Sequence, residues 1–268
     1  MNLDNIILIT DADGTLLTDD KSILETDRAA IRGLIENGGL FTVATGRGVA
    51  LTRGLADDLN LEIPAVIFNG AAVYDFKREV FLWQSNLPKT AGEYIKLVQK
   101  RFPSVGIEIL RGDEIYVIST NWIEEKHLEL GATKPVRCDF GDVPQDGWIK
   151  VLFVDEPETT DKIIGFLNRQ GIGDVHMVRS APWFYEVLPS GVNKGTGFKK
   201  LLEILNIKDK YVVAAGDFMN DLEMIQAADL GVAVANAEEI VKKQSDLIVC
   251  DNNSGAMREI IEYLKRIN

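Results

Sequence analysis

Histidine and cysteine are the scarcest chemistry-bearing residues of this chain, each occurring twice in 268 residues. Cys138 and Cys250 lie far apart and without a C-x-x-C spacing, so neither a disulfide framework nor a thiolate metal site is indicated. His127 and His176 have no clustered partners, which leaves a histidine metal site or a Ser-His-Asp triad without support. Positive charge is also short: 29 Lys and Arg stand against 41 Asp and Glu, for a formal net charge of -12. The field of such a chain repels nucleic acid and anionic membrane surfaces, so neither is expected as a partner. It would also repel a phosphate ester, so a protein of this sign that handles anions must supply local positive charge from a metal, a Lys or Arg, or helix N-termini. Long apolar runs are missing as well. None approaches the length of a membrane span, and the run after Asp4 is too short and too acidic a context for a signal peptide, from which a cytoplasmic protein is expected.

What the chain has in abundance is short apolar runs that end in polar turns. Ile6 to Thr10 is apolar at almost every position, with no alternation, and reads as a central strand covered on both faces. It runs into Asp11-Ala12-Asp13-Gly14-Thr15. Side chains at i and i+2 of extended backbone point to one side, so a spacing of two puts both acids on one ligand. Taken alone, the pair also has a blander reading as an Asp-capped turn. Leu24 to Asn37 has helical spacing and stops at Gly38-Gly39, and Leu40 to Ala44 is a second buried strand that delivers Thr45-Gly46-Arg47. A helix to about Leu59 follows, and then a third short strand, Ala65 to Phe68, which ends in Asn69-Gly70-Ala71.

From there the rhythm changes. Ala72-Val73-Tyr74 and Val80 to Trp83 flank a charged turn and read as a β-hairpin. Beyond Pro88, helices are expected at Glu93 to Arg101, Ile123 to Leu130 and Thr159 to Asn168. Strands are expected at Gly106 to Leu110, Ile115 to Ile118, Trp148 to Val154, Val175 to Val178 and Trp183 to Leu188. This stretch interrupts the β-α alternation and reads as an insertion. Alternation resumes with a helix from Lys194 to Leu205, the strand Tyr211 to Ala215, and the turn Gly216-Asp217-Phe218-Met219-Asn220-Asp221. Helices at Asp221 to Ala228, Glu238 to Gln244 and Met257 to Arg266 and strands at Leu230 to Val234 and Leu247 to Val249 complete the pattern. The expected fold is α/β: a doubly wound, Rossmann-like parallel sheet from residues 1–84 and 190–268, with an inserted α/β domain at 85–189.

Brought to one sheet edge, the strand-end turns and Lys194 make a site of several carboxylates, a hydroxyl, two amides and one or two cations. Each member has a bland reading: Asp217, Asp221 and Thr45 as helix caps, Lys194 as a solvated first-turn residue. Together, oxygen ligands without His or Cys suit a hard cation, and Mg²⁺ is the usual one where phosphate also binds.

In this order the motifs resemble those of the haloacid dehalogenase-like phosphohydrolases, and within them the Cof-type hydrolases whose cap is inserted between the second and third motifs. Asp11-Ala12-Asp13-Gly14-Thr15 is similar to the first motif, D-x-D-G-T. Thr45, extended by Gly46-Arg47, is similar to the second, Lys194 within Gly191 to Gly195 to the third, and Gly216-Asp217 with Asn220-Asp221 to the fourth, G-D-x-x-N-D; Asn69-Gly70-Ala71 also recurs in the subclass. The resemblance implies a phosphatase of small phosphorylated metabolites, with sugar phosphates the best guess. It implies Asp11 as the nucleophile that forms an aspartyl-phosphate, and Asp13 as general acid and base. Mg²⁺ would be held by Asp11, the Asp13 main-chain carbonyl, Asp217 and Asp221. The phosphate would meet Thr45, Gly46, Arg47, Asn69, Lys194 and Asn220. Of the two acids, Asp11 beside the cation and Lys194 is expected to stay ionised, and Asp13 to be the easier to protonate. The insertion is expected to be a cap that excludes water and selects the leaving group. Trp122, Trp148, Trp183, Phe184 and Tyr185 are either sugar-facing or part of the cap core. A phosphomutase on the same fold, or a non-catalytic phosphate or metal sensor, is the alternative.

Overall fold

A computed structural model describes residues 3–129 and 134–267. The chain forms β1 (Ile6–Thr10), α1 (Glu25–Glu36), β2 (Leu40–Val43), α2 (Val49–Asp58), β3 (Ala65–Ile67), β4 (Ala72–Asp75) and β5 (Val80–Gln84). It continues through α3 (Ala91–Arg101), β6 (Gly106–Arg111), β7 (Glu114–Ser119), α4 (Trp122–Glu129), β8 (Val136–Arg137), β9 (Trp148–Val154), α5 (Pro157–Asn168), β10 (Val175–Ala181) and β11 (Phe184–Pro189). The last segment holds α6 (Lys194–Ile204), β12 (Tyr211–Gly216), α7 (Leu222–Ala227), β13 (Leu230–Val234), α8 (Glu239–Gln244), β14 (Leu247–Val249) and α9 (Ala256–Arg266).

β1 sits inside a five-stranded sheet of order β14-β13-β12-β1-β2, in which every pair is parallel. Successive side chains of a strand point to opposite faces, and β1 shows what that does. Ile6 and Leu8 pack with Ile31 and Leu34 of α1 and with Ile260, Ile261 and Leu264 of α9. Ile7 and Ile9 pack with Phe198 and Leu201 of α6 and with Met224 of α7. The sheet is thus covered on both sides, which is why its strands carry no polar alternation. Each fully buried aliphatic side chain of this kind contributes on the order of 2 kcal/mol. α9 shows the complementary pattern: Met257, Ile260, Ile261 and Leu264 recur at helical spacing and are the buried face.

Two expectations need correction. The third strand does not simply extend the parallel sheet. β3 pairs antiparallel with β4, and β4 with β5, in a three-stranded sheet of their own. β3 meets β2 at a single parallel bridge, Ala44 to Val66. Beyond that bridge the two chains stay hydrogen-bonded, the Phe68 amide donating to the Arg47 carbonyl at 3.0 Å, while the chain after β3 turns through left-handed conformations at Phe68 and Asn69 (φ 53° and 52°). The two-residue strand β8, parallel to β7, carries no strand signal and was not expected. The helix expected to reach Leu130 is α4, described as far as Glu129; Leu130 itself lies outside the described residues.

Between β5 and α6 the chain builds a six-stranded sheet of order β10-β11-β9-β6-β7-β8. One face, with Ile107, Ile109, Val151, Phe153, Tyr185 and Val187, packs on Ile95 and Val98 of α3 and on Ile163 and Leu167 of α5. On the other face Leu110, Leu152 and Leu188 join the same apolar cluster as the parallel sheet. On that face the second sheet therefore touches the first unit directly, with Ile123 of α4 packed against the same cluster.

Candidate active site

The strand ends of the parallel sheet place the first two acids. β1 closes with the Asp11 amide donating to the Ala215 carbonyl of β12 at 2.9 Å, which brings the turn after β1 beside the turn after β12. Gly14 takes a positive φ of 80°, and a Cβ there would stand 2.6 Å from Asp217 Oδ2. Only glycine lets the two acidic turns approach so closely. α6 begins with a capping box, the Asn193 side chain accepting from the Thr196 amide at 2.8 Å, so Lys194 is the first helical residue and its side chain runs back under the strand ends.

There the Lys194 ammonium, 1% exposed, donates to Asp11 Oδ1 and, at 2.6 Å, to Asp221 Oδ1. Asp11, Asp217 and Asp221 each offer a carboxylate oxygen within 4.8 Å of one another. Asp217 Oδ1 accepts from the Thr15 hydroxyl at 2.9 Å. Asp221 Oδ2 accepts from the amides of Asp217 and Phe218, both at 3.0 Å, so both its oxygens are engaged and it shapes the turn that carries Asp217.

Three carboxylates around one ammonium leave the site short of positive charge. Burial, with Asp221, Asp217 and Asp13 adding to it against the pull of Lys194, pushes the Asp11 carboxyl well above the usual carboxylate range. Burial and Asp221 push Asp217 up to about 7. The burial of Lys194 works against its charge, but Asp11 and Asp221 hold the ammonium above its ordinary value. An all-oxygen cluster with too little positive charge of its own is the donor set that a hard divalent cation fits.

Asp13 has partners of its own. Its carboxylate turns away from the cluster to a fork from Arg47, Nε to Oδ2 and Nη2 to Oδ1, both at 2.7 Å, and accepts from Lys21 at 2.8 Å. Although burial acts in the opposite sense, these two cations lower it to about 2. Among the protein's own groups, Asp11 is the raised acid and Asp13 the lowered one. The cause is the approach of Lys21 and the fork of Arg47, neither of which spacing along the chain reveals. To a cation, Asp13 has its main-chain carbonyl to offer, its side chain being engaged elsewhere.

The remaining residues of the expected site form a second group. Thr45 accepts at its carbonyl from the Asn69 amide, 2.9 Å, and its hydroxyl accepts from the Arg47 amide, 3.1 Å. Asn69 Oδ1 accepts from Asn220 Nδ2 at 2.9 Å. Gly70 has φ 97°, and a Cβ there would lie 1.9 Å from the Asn193 carbonyl, so the Asn69 turn is pressed against the start of α6. Arg47 is committed to Asp13, with Nη1 on the Leu51 carbonyl at 3.4 Å.

The second sheet adds charges that motif reading passed over. Glu108 on β6 and Glu186 on β11 both pair with Leu152 of β9, and Lys150 lies two residues back on the same strand and face. Lys150 Nζ donates to the Gly46 carbonyl at 2.7 Å and sits 3.2 Å from Glu186 Oε2. His127 Nε2 is 3.5 Å from Glu108 Oε1, and the ring packs edge-on to Phe184. Burial holds the His127 imidazole below its usual value despite the Glu108 carboxylate. The only sequence signal for this group is one charge inside each apolar run: Ile107-Glu108-Ile109, Ile149-Lys150-Val151, Tyr185-Glu186-Val187. Of the aromatic candidates, Trp148 and Tyr185 are buried in the packed face of the second sheet. Trp122 and Trp183 are 65% and 43% exposed.

Comparison with known proteins agrees with this geometry. The family model of haloacid dehalogenase-like hydrolases matches residues 8–261. YxeH of Bacillus subtilis is 30% identical over 96% of this chain and 97% of its own. The 5-amino-6-(5-phospho-D-ribitylamino)uracil phosphatase YcsE of the same organism is 28% identical over 98% and 96%. A solved haloacid dehalogenase-like hydrolase from Bacteroides thetaiotaomicron superposes with a TM-score of 0.82 at 27% identity, covering 96% of this chain and 98% of that one. The chain belongs to the haloacid dehalogenase-like hydrolases, of the Cof type, and is a phosphatase of that family.

Proposed function

We propose that this phosphatase hydrolyses monoesters of small phosphorylated metabolites, sugar or sugar-alcohol phosphates foremost, through an aspartyl-phosphate at Asp11 and with Mg²⁺ as cofactor. The observation that carries the reading is the buried Asp11–Lys194–Asp221 arrangement with Asp217 beside it. A phosphate dianion repels a carboxylate nucleophile, so charge must be neutralised before attack. Lys194 supplies one positive charge from the chain. A bound Mg²⁺, held by Asp11, the Asp13 carbonyl and Asp217 with Asp221 behind them, would supply the rest and would favour the ionised form of both raised carboxyls.

Asp11 is the nucleophile in this reading: attack on phosphorus splits one hard displacement into two easier ones. Lys194, Thr45 and Asn220 hold the phosphate oxygens, with Gly46, Arg47 and Asn69 beside them. Asp13 hands a proton to the leaving oxygen and later takes one from the attacking water. For that, its carboxylate must exchange at least one of its contacts with Lys21 and Arg47 for a proton, an exchange that the half-exposed side chain permits. Residues 1–84 and 190–268 act as the catalytic unit, and 85–189 as the cap that excludes water and meets the leaving group. The ribityl phosphate in the name of the YcsE relative supports a polyol leaving group.

The test is phosphate release from a panel of sugar phosphates, nucleotides and an aryl phosphate, with Mg²⁺ and with chelator. Turnover that chelator abolishes is expected. No hydrolysis of any ester with Mg²⁺ present defeats the reading. Release of inorganic phosphate without need of a bisphosphate sets a mutase aside.

A further inference from the structure

Lys150 and Glu186 form an ion pair whose side chains are 5% and 4% exposed. Each lies mid-strand, on the face of the second sheet where Leu152 and Leu188 are apolar. Burying two charges costs desolvation that their attraction scarcely repays, so apolar side chains of like size would serve stability as well or better. What the pair touches gives it another use. Lys150 donates to the carbonyl of Gly46. Glu186 Oε2 accepts from Asn69 Nδ2 at 2.6 Å, and its Oε1 accepts from the Ser180 hydroxyl at 2.5 Å. Both contacts to the parallel-sheet unit fall on strand-end turns of the site.

An amide side chain has two faces, an oxygen that only accepts and a nitrogen that only donates. A carboxylate can only accept. With Glu186 on one side, Asn69 must present its nitrogen there and its oxygen to Asn220. Asn220 must then meet that oxygen with its own nitrogen, as observed. Asn220 Oδ1 is buried and has no hydrogen-bond partner among the described residues, so these give Asn220 no anchor of the other sense. The orientation of both amides is therefore decided by one charge on the second sheet, and each amide nitrogen keeps a second hydrogen for an anion.

We propose that Glu186, neutralised by Lys150, is a positioning residue for phosphate: it orients the Asn69 amide and, through it, that of Asn220, while the second sheet lies on the strand ends. Contact between the two sheets and readiness of the phosphate site thereby become one event. This rests on the phosphatase reading above. It differs from a leaving-group role, because the effect reaches phosphate whatever the ester carries.

The experiment compares wild type, Lys150→Met/Glu186→Leu, Asn69→Gly and the triple variant, all with Mg²⁺. Asn69→Gly removes the amide and keeps the positive φ. Inorganic phosphate binding is measured by calorimetry, and kcat/KM on an aryl phosphate and on a sugar phosphate. Melting temperature reports the fold. We expect the double variant to stay folded, and phosphate binding and kcat/KM on both esters to fall together by about tenfold to a hundredfold, the range for a charge-assisted hydrogen bond. Adding Asn69→Gly should then cost little more, although the same change is costly in wild type. Full additivity with Asn69→Gly overturns the proposal, as does a loss confined to the sugar phosphate, which would make the pair a reader of the leaving group. Should the double variant not fold, Glu186→Gln replaces a fixed acceptor with an amide free to turn. Phosphate binding about threefold to tenfold weaker is expected, and unchanged binding overturns the proposal. A wild type that neither binds phosphate nor cleaves either ester defeats the phosphatase reading itself; a wild type that does both while the variants match it defeats this proposal alone.

Discussion

The parallel sheet and the antiparallel sheet both bury charge, and they do so in opposite ways. In the first, Asp11, Asp217 and Asp221 stand in turns beyond the strand ends and converge on Lys194. In the second, Glu108, Lys150 and Glu186 stand within strands, flanked by apolar neighbours, and Glu124 of α4 lies fully buried with neither carboxylate oxygen meeting a donor among the described residues. Burial and the nearby Glu108 carboxylate push Glu124 up to about 10. Strand ends can carry many charges because the turns are held by rigid strands yet open to ligand. A charge inside a strand has no such outlet and must find its partner across the sheet or take up a proton. Removing a charge should therefore damage chemistry in the first unit, and in the second alter stability where, as at Glu124, the charge does not reach the strand-end turns of the site.

Four substitutions probe that contrast. Asp11→Asn should lower phosphate release by about a thousandfold or more while the protein remains folded, since a nucleophile has no substitute. Appreciable turnover by this variant would remove Asp11 from its role. Asp217→Asn should raise the Mg²⁺ concentration for half-maximal activity by about a hundredfold and shrink the rise in melting temperature that Mg²⁺ produces, as loss of a charged ligand predicts.

Glu124→Gln should act the other way, on stability and not on rate. A carboxyl whose folded value is raised from 4.5 to about 10 contributes stability that is complete below the unfolded value and is lost as pH climbs towards the folded one. The wild-type protein should therefore lose stability across that window, and the variant should lose less of it, gaining on the order of 2 kcal/mol at pH 7 in denaturant unfolding. Equal pH dependence of the two proteins would show that Glu124 is not held neutral by its surroundings. Trp122→Ala should do least: the side chain is 65% exposed, and a change within about 0.5 kcal/mol is expected at such a position. A large loss of sugar-phosphate turnover in this variant would place the indole on the substrate.

The same contrast explains what could be read from the chain. Strand-end acids are legible because strand, turn and helix are local, so an apolar run followed by Asp11-Ala12-Asp13-Gly14-Thr15 or Gly216-Asp217 announces its own geometry. Lys194 is legible for the same reason, placed as it is at the first position of a capped helix. Glu186 is not. Its partners Asn69, Ser180 and Lys150 come from β-strands and turns up to 117 positions away, and strand pairing alone makes them neighbours. Asp13 lies between the two cases: its place in the motif is legible, but its Arg47 and Lys21 partners, and hence its proton affinity, are not.

By itself, then, the order of apolar runs and polar turns determined an α/β chain with a doubly wound parallel sheet, an interruption in its middle, and the acids and lysine that belong to its working edge. Periodicity and turn chemistry act over a few residues, and nothing more was needed. The tertiary structure alone decided that β3 pairs antiparallel with β4, that the Asp13 carboxyl is lowered while Asp11 is raised, and that Lys150 and Glu186 reach Gly46 and Asn69. Those outcomes depend on which charges are brought within a few ångströms in a medium of low dielectric, and that is a property of packing, not of spacing along the chain.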